Sequence, residues 1–228
     1  LAGKPYGSAG PYEKLIGKIY FEIDPTNSAN TIIADIRNAP KNARGKVEFS
    51  SDFFLIKPKQ IEKGNGTVLY EVSNRGGKGM LGFFNQGSGS LNPTTEADFG
   101  DGFLMNQGFT LLWVGWQFDV PQRPGLIRVY VPTPVENGRP IRGVVRSDFV
   151  PTEKEFDHSL SDRNHTEYAV ADPNDPNNTL TVRDSVEGAR RVIPRDQWGF
   201  ARDENGAVVA SETVALPLAA VTPEAVAR

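Results

Sequence analysis

The chain has 228 residues, a formal net charge of −3, 38% hydrophobic and 23% charged residues, and no cysteine. That balance gives no reason to expect nucleic acid or an anionic membrane as a partner, and without Cys there can be no disulfide, thiolate nucleophile or Cys-bound zinc. With 23 Gly and 17 Pro and no internal period, many short strands and turns are expected, in one large β-rich domain or two small ones.

The opening stretch Leu1–Pro11 is rich in Gly, Pro and Ser and reads as a loose lead-in. Ile16–Ile23 alternates apolar and polar residues as a half-buried strand does. Thr31–Ile36 is a second strand candidate, and Lys46–Ile56 a third, long enough to bend and stopped by Pro58. Asn65-Gly66 signals a tight turn before the strand Val68–Val72. That strand runs into the glycine-rich turn Ser73-Asn-Arg-Gly-Gly-Lys-Gly79. After the polar stretch Asn85–Pro93, Asp101–Gln107 is a short helix that Gly108 ends. Phe109–Trp116 is almost continuously apolar, the pattern of a buried strand. Strand, loop, helix and buried strand make a βαβ unit and imply one parallel pair.

Beyond Pro121 the pattern changes to antiparallel β. Leu126–Val131 and Ile141–Arg146 flank an Asn137-Gly138 turn, and Thr166–Val170 and Thr179–Val182 flank the turn-forming Asp172–Asn178. A further hairpin is expected around Asn205-Gly206, and the tail from Val214 to Arg228 is rich in Ala and Val. No apolar run approaches the ~20 residues of a membrane span. The chain starts at Leu1 without a charged-then-apolar leader, which reads as a mature form or a fragment.

Several motifs point away from other chemistries. Gly64-Asn-Gly66 and Gly87-Ser-Gly89 lack a third glycine and open no helix, so neither is a dinucleotide fingerprint; Gly77-Lys78 is followed by Gly79 and lacks the upstream glycine of a P-loop. His158 and His165 lie near Asp157, Asp162 and Glu167 and could hold a metal. Their spacing and the polar residues between them favour solvent-facing loop histidines. Asp172–Asn178 is rich in side-chain oxygens, but it matches no calcium loop and reads as a turn.

The Ser73–Gly79 turn is harder to set aside. Backbone N–H groups fixed at the carboxyl end of a strand can stabilise the oxyanion of acyl transfer, and glycine lets them converge. A plain strand-to-loop turn is the competing reading. Active sites in open α/β sheets lie at strand carboxyl ends, so the βαβ unit favours the functional one. Trp116, Gln117 and Asp119, at the end of the next strand, are candidates for the pocket wall, and Trp113 for core packing.

Gly10-Pro-Tyr-Glu13, Phe21-Glu-Ile-Asp-Pro25, Gly45-Lys-Val-Glu-Phe49, Tyr70-Glu-Val-Ser-Asn-Arg-Gly76, Gly100-Asp-Gly-Phe103, Trp113-Val-Gly-Trp-Gln117 and Ile193-Pro-Arg-Asp-Gln-Trp198 follow one another along the chain. This succession resembles the amino-terminal part of a bacterial family of alpha/beta hydrolase domain-containing proteins. The resemblance implies an α/β fold, strongly β-rich: an incomplete α/β-hydrolase sheet with early antiparallel strands, one βαβ unit and an antiparallel β insertion. Core residues 1–120, an insertion or lobe at 121–205 and a truncated connecting segment at 206–228 are the expected organisation. Asn74, Arg75, Gly76 and Gly77 would form the oxyanion-hole loop of a serine ester hydrolase. The nucleophile elbow, acid and histidine would follow in the order Ser, Asp/Glu, His.

None of the three fits this sequence: Ser88 and Ser90 fail the elbow pattern, which needs a glycine two residues before and two after the serine, and His158 and His165 come too early. The expected role is therefore a portion of a hydrolase that turns over no substrate by itself. Its partners would be a small-molecule ester and the remainder of the hydrolase domain, and the resemblance leans to an exported protein. No metal or organic cofactor is implied. The alternative is a non-catalytic β-rich binding module, for carbohydrate or another small ligand, whose aromatic residues form the binding surface.

Overall fold

A computed structural model describes residues 3–152, 157–160, 166, 170–200 and 213–215. The chain divides into two compact units, Leu1–Ile141 and Arg142–Arg228.

The first unit is built on one mixed sheet in the order β1-β2-β3-β5-β4, with β6 added to β3. Pro5–Tyr6 (β1) pairs with the start of Gly10–Ile23 (β2), which runs antiparallel to Val47–Pro58 (β3) from Tyr12↔Pro58 to Ile23↔Val47. Val68–Glu71 (β4) lies at the sheet edge. The chain then passes through three short helices, Met80–Asn85 (α1), Glu96–Phe99 (α2) and Phe103–Asn106 (α3). It returns as Thr110–Val114 (β5), parallel to β4 and antiparallel to β3. Val129–Tyr130 (β6) pairs with Ser50 and Ser51, and Val135–Glu136 (β7) forms a hairpin with Arg139–Pro140 (β8).

The strand period of two sorts the sheet residues onto two faces. Tyr12, Phe54, Ile56, Leu111 and Trp113 share one face and pack with Met80, Leu81, Phe99, Leu104 and Met105 from the helices, with Leu69 against them. Phe54 and Trp113 meet edge to face, and Trp113 is wholly buried. The core thus lies on the helix side of the sheet. A smaller cluster of Ile36, Ala39 and Val47 closes its far end.

In the second unit Asp157–Ser159 (β9), Leu180–Val182 (β10), Arg191–Ile193 (β11), Gly199–Phe200 (β12) and Thr213–Ala215 (β13) form two small antiparallel sheets, β10-β11 and β12-β13-β9. Trp198 is their buried centre, with Leu160, Leu180, Ile193 and Phe200 around it.

The parallel pair and the buried strand after it match expectation, and several details do not. Thr31–Ile36 is no strand: it is a series of turns ending in a 3-10 turn at Ile36–Asn38, with Ile32 89% exposed. Its apolar residues have no partner strand, so the propensity has nothing to pair with. The Asn137-Gly138 turn is present, both residues at positive φ, but it joins β7 to β8, and Val129–Tyr130 pairs with β3 instead. Leu180–Val182 pairs with Arg191–Ile193. The helix expected over Asp101–Gln107 is shorter, at Phe103–Asn106, because Gly102 sits at φ 71° and cannot be its interior. Asn205-Gly206 lies outside the described residues.

Candidate functional site

At the carboxyl end of β4 the chain turns through Ser73, a 3-10 turn at Asn74–Gly76, and Gly77. Arg75 is left-handed, at φ 53° and ψ 34°, a conformation that costs a non-glycine residue about 1 kcal/mol or more. Gly76 follows at φ 71°, and a Cβ there would stand 2.4 Å from the Ile127 carbonyl oxygen. Only glycine fits this position.

The residues expected to line the pocket do something more specific. Trp116 Nε1 donates to the Ser73 carbonyl at 2.6 Å, and the Arg75 N–H donates to Gln117 Oε1 at 2.6 Å. Arg75 Nη1 donates to Asp119 Oδ1 at 2.9 Å in an ion pair whose side chains are mostly buried. Three side chains from the segment after β5 therefore clasp the turn after β4. This clamp opposes the strain at Arg75: each bond contributes about 1 kcal/mol, and more where charge is involved. Trp116 keeps 53% of its surface exposed while its polar edge is spent on the loop.

A second layer holds the turn from below. Glu71, the last residue of β4, accepts the N–H groups of Gly79 and Met80 at 2.8 Å each, and that of the Trp113 indole. A carboxylate from the strand thus caps the start of α1. Lys78 is 5% exposed; its Nζ donates to the carbonyls of Leu91 and Gly125 and stands 4.7 Å from the centre of the Phe54 ring. Burial lowers its pKa to about 8, against the attraction of Glu71 and Asp52. Asp52 in turn accepts from Lys18 Nζ, the Arg128 N–H and the Tyr130 hydroxyl. The Ser73 hydroxyl is buried and has no hydrogen-bond partner.

Two N–H groups of the expected oxyanion loop, those of Arg75 and Gly77, differ in how firmly they are held. Arg75 is held tightly by Gln117, whereas Gly77 bonds the Asn74 carbonyl at 3.2 Å, at the long end of the N–H···O range. Of these two, Gly77 is the donor released at the lower cost.

The other candidates are placed elsewhere. His158 stacks on Phe149 with ring centres 4.0 Å apart, while His165, Asp162 and Glu167 lie outside the described residues. Among the described residues no cluster of three His, Cys, Asp or Glu could hold a metal. Asp172 Oδ1 accepts the Asn174 N–H and Asp175 Oδ1 the Asn177 N–H, so these carboxylates close their own turns. No helix among the described residues is long and apolar enough to cross a membrane.

The chain matches no protein-family model, no curated protein and no solved structure.

Sequence reading missed Glu71, Lys78 and Asp52, because their partners lie up to 78 positions away in the chain. It also missed α1 and α2. For α2 a signal existed: Thr95 and Asp98 form a capping box, and a Thr-x-x-Asp before an apolar turn announces one. For α1 the cap is the remote Glu71, which no local pattern reveals.

Proposed function

We propose that this chain supplies the oxyanion loop of a serine ester hydrolase whose nucleophile, acid and base lie outside it. One observation carries the reading: a glycine turn at the carboxyl end of a parallel strand, locked in a left-handed conformation by Trp116, Gln117 and Asp119. Donors held rigid before the reaction are what oxyanion stabilisation requires, since they need not reorganise as charge develops. The loop also lies between a strand and the first helix, the position from which α/β-hydrolases donate one of the two oxyanion N–H groups. The orphaned Ser73 hydroxyl fits a site that carries unspent polarity.

Gly77 is the donor in this reading, and Trp116 with Phe118 forms the exposed apolar wall. The parent reaction is two-step acyl transfer: a serine attacks the ester carbonyl, the alcohol leaves, and water releases the acid. The binding-module alternative loses Trp113 and Trp198, which are buried, and would rest on the exposed aromatics that remain, such as Tyr20, Phe83 and Trp116.

The test is hydrolysis of p-nitrophenyl acetate by the complete gene product and by residues 1–228. Activity is expected only where a G-x-S-x-G strand end is present. Gly77→Pro removes the donor at a φ of −73°, the angle proline fixes; it should lower kcat by about 10²- to 10³-fold. Turnover by residues 1–228 alone, or an unchanged kcat in the proline variant, would sink the assignment.

A further inference from the structure

Lys78 stands at a junction of three chain segments. It belongs to the turn that carries Gly77 and is buried, and its Nζ donates to the Leu91 carbonyl at 2.9 Å and to the Gly125 carbonyl. The two loops that accept these bonds press on each other: a Cβ on Gly125 would stand 2.8 Å from the Leu91 Cβ. The segment after Gly125 also reaches the turn through its backbone, since the Ile127 N–H donates to the Gly76 carbonyl at 3.2 Å. The Phe54 ring closes the floor, with its centre 4.7 Å from Nζ.

An ammonium in this place is a poor device for holding a fold together. Glu71 on β4 and Asp52 on β3 favour the cation and Lys14 on β2 opposes it, but burial outweighs them and weakens the hold of Lys78 on its proton. An apolar side chain of similar length would fill the same space without a desolvated charge. Lys14 shows the contrast. It grips the Leu91 loop from a half-buried position, through Asn92 Oδ1 and the Pro93 carbonyl at 3.0 Å each, and both of those bonds go to that loop. Charges kept inside a protein against its stability gather at functional sites, where geometry or charge is what is needed.

Resting on the hydrolase reading, we propose that Lys78 is a positioning residue of the oxyanion site: its buried ammonium ties the Ser73–Gly79 turn to the Leu91 and Gly125 loops and so sets where the Gly77 N–H points. The bond from that N–H to Asn74 is long, so the anchor on the next residue governs how far the peptide can move. A charged donor holds a carbonyl more tightly than a neutral amine does, and loss of the proton therefore slackens the turn. With a pKa of about 8, Lys78 loses it within the range of an ordinary assay. The folded chain favours the neutral form, so activity falls across the same window in which stability rises. Alkaline unfolding would make the two fall together.

The experiment follows p-nitrophenyl acetate hydrolysis by the complete gene product, with the buffer rate subtracted, beside urea unfolding at the same pH values. In the parent, kcat should fall with a midpoint at about pH 8 while stability climbs. Lys78→Met should lose this alkaline limb and lower kcat by about 10- to 100-fold at neutral pH, with KM changed by about twofold at most. Lys14→Met removes the other lysine of the Leu91 loop and should keep the limb. Lys78→Arg keeps the charge at every assay pH and should carry kcat flat through the window. Hydrogen exchange gives a readout that needs no turnover and no arginine variant. Lys78→Met should speed exchange at the Gly77 and Ile127 amides by about 10-fold or more and leave the amides of β3 and β5 unchanged.

An alkaline limb that survives in Lys78→Met, or unchanged exchange at Gly77, overturns the proposal. Slower turnover together with faster exchange throughout β3 and β5 shows a plain structural role and overturns it as well. The two readings fail separately. An inactive product whose Gly77 exchange depends on Lys78 sinks the hydrolase, and the catalytic role with it, and leaves the pin. An active product in which neither exchange nor the limb depends on Lys78 sinks the pin and leaves the hydrolase.

Discussion

The most exacting prediction concerns Lys78. Its ammonium is enclosed, with two carbonyl acceptors and the face of Phe54 around it. Burial brings its pKa from 10.5 to about 8. A tenfold change in proton affinity is worth about 1.36 kcal/mol, so the charged form costs the fold roughly 3 kcal/mol relative to the neutral one. The unfolded chain binds this proton more tightly than the folded one. Unfolding therefore takes up a proton between pH 8 and 10.5, and stability rises with pH across that window. Below about pH 8 the cost is present in full.

Lys14, also lowered by burial, adds to the same slope. Burial raises Tyr6 and brings Tyr12 up to about 12. The unfolded chain loses those protons first, so stability falls again above pH 10. Urea unfolding followed by tryptophan fluorescence should show stability climbing from pH 8 to 10 and then turning down. Lys78→Met keeps the volume, removes the charge and leaves two carbonyls unpaired, each costing about 1–3 kcal/mol. It should be near neutral at pH 7, flatten the rise, and be clearly less stable than the parent at pH 10. A flat profile in the parent, or an undiminished rise in the variant, would refute the account of Lys78.

Gly76→Ala places a Cβ 2.4 Å from the Ile127 carbonyl and 2.9 Å from Val120, at φ 71°; a loss of about 3 kcal/mol or more is expected in chemical denaturation, and a loss under 1 kcal/mol would contradict the packing of the turn. Ser73→Ala removes a buried hydroxyl without a partner and should be neutral or stabilising by up to about 1 kcal/mol, whereas clear destabilisation would reveal an acceptor. The Ser88 hydroxyl and the N–H groups of Thr94 and Thr95 hold the Asp98 carboxyl well below its ordinary range. Its contribution is present above the ordinary carboxylate range and lost as acid protonates it, so Asp98→Asn should weaken α2 at pH 7 by about 1 kcal/mol and blunt the acid-induced loss of stability.

Local rules found what local physics fixes. The almost continuously apolar run of Phe109–Trp116 foretold a strand inside the sheet, because a strand buried against neighbours on both faces carries such a run. The Asn137-Gly138 turn was legible because two consecutive positive φ values favour those residues. Partners were not legible: β6 joins β3 and not its sequence neighbour, and β10 joins β11. Pairing depends on which apolar faces meet, and that is a property of the whole sheet.

For the candidate site the same division holds. The sequence by itself determined that a glycine-rich turn ends β4 and that a buried strand follows, since both are written in contiguous residues. Only the tertiary structure decided that Trp116, Gln117 and Asp119 grip this turn, that Glu71 caps α1 and that Lys78 is buried beneath it. Those contacts join residues up to 47 positions apart. They exist because the parallel crossover brings the carboxyl ends of β4 and β5 side by side, a closeness that no local pattern contains.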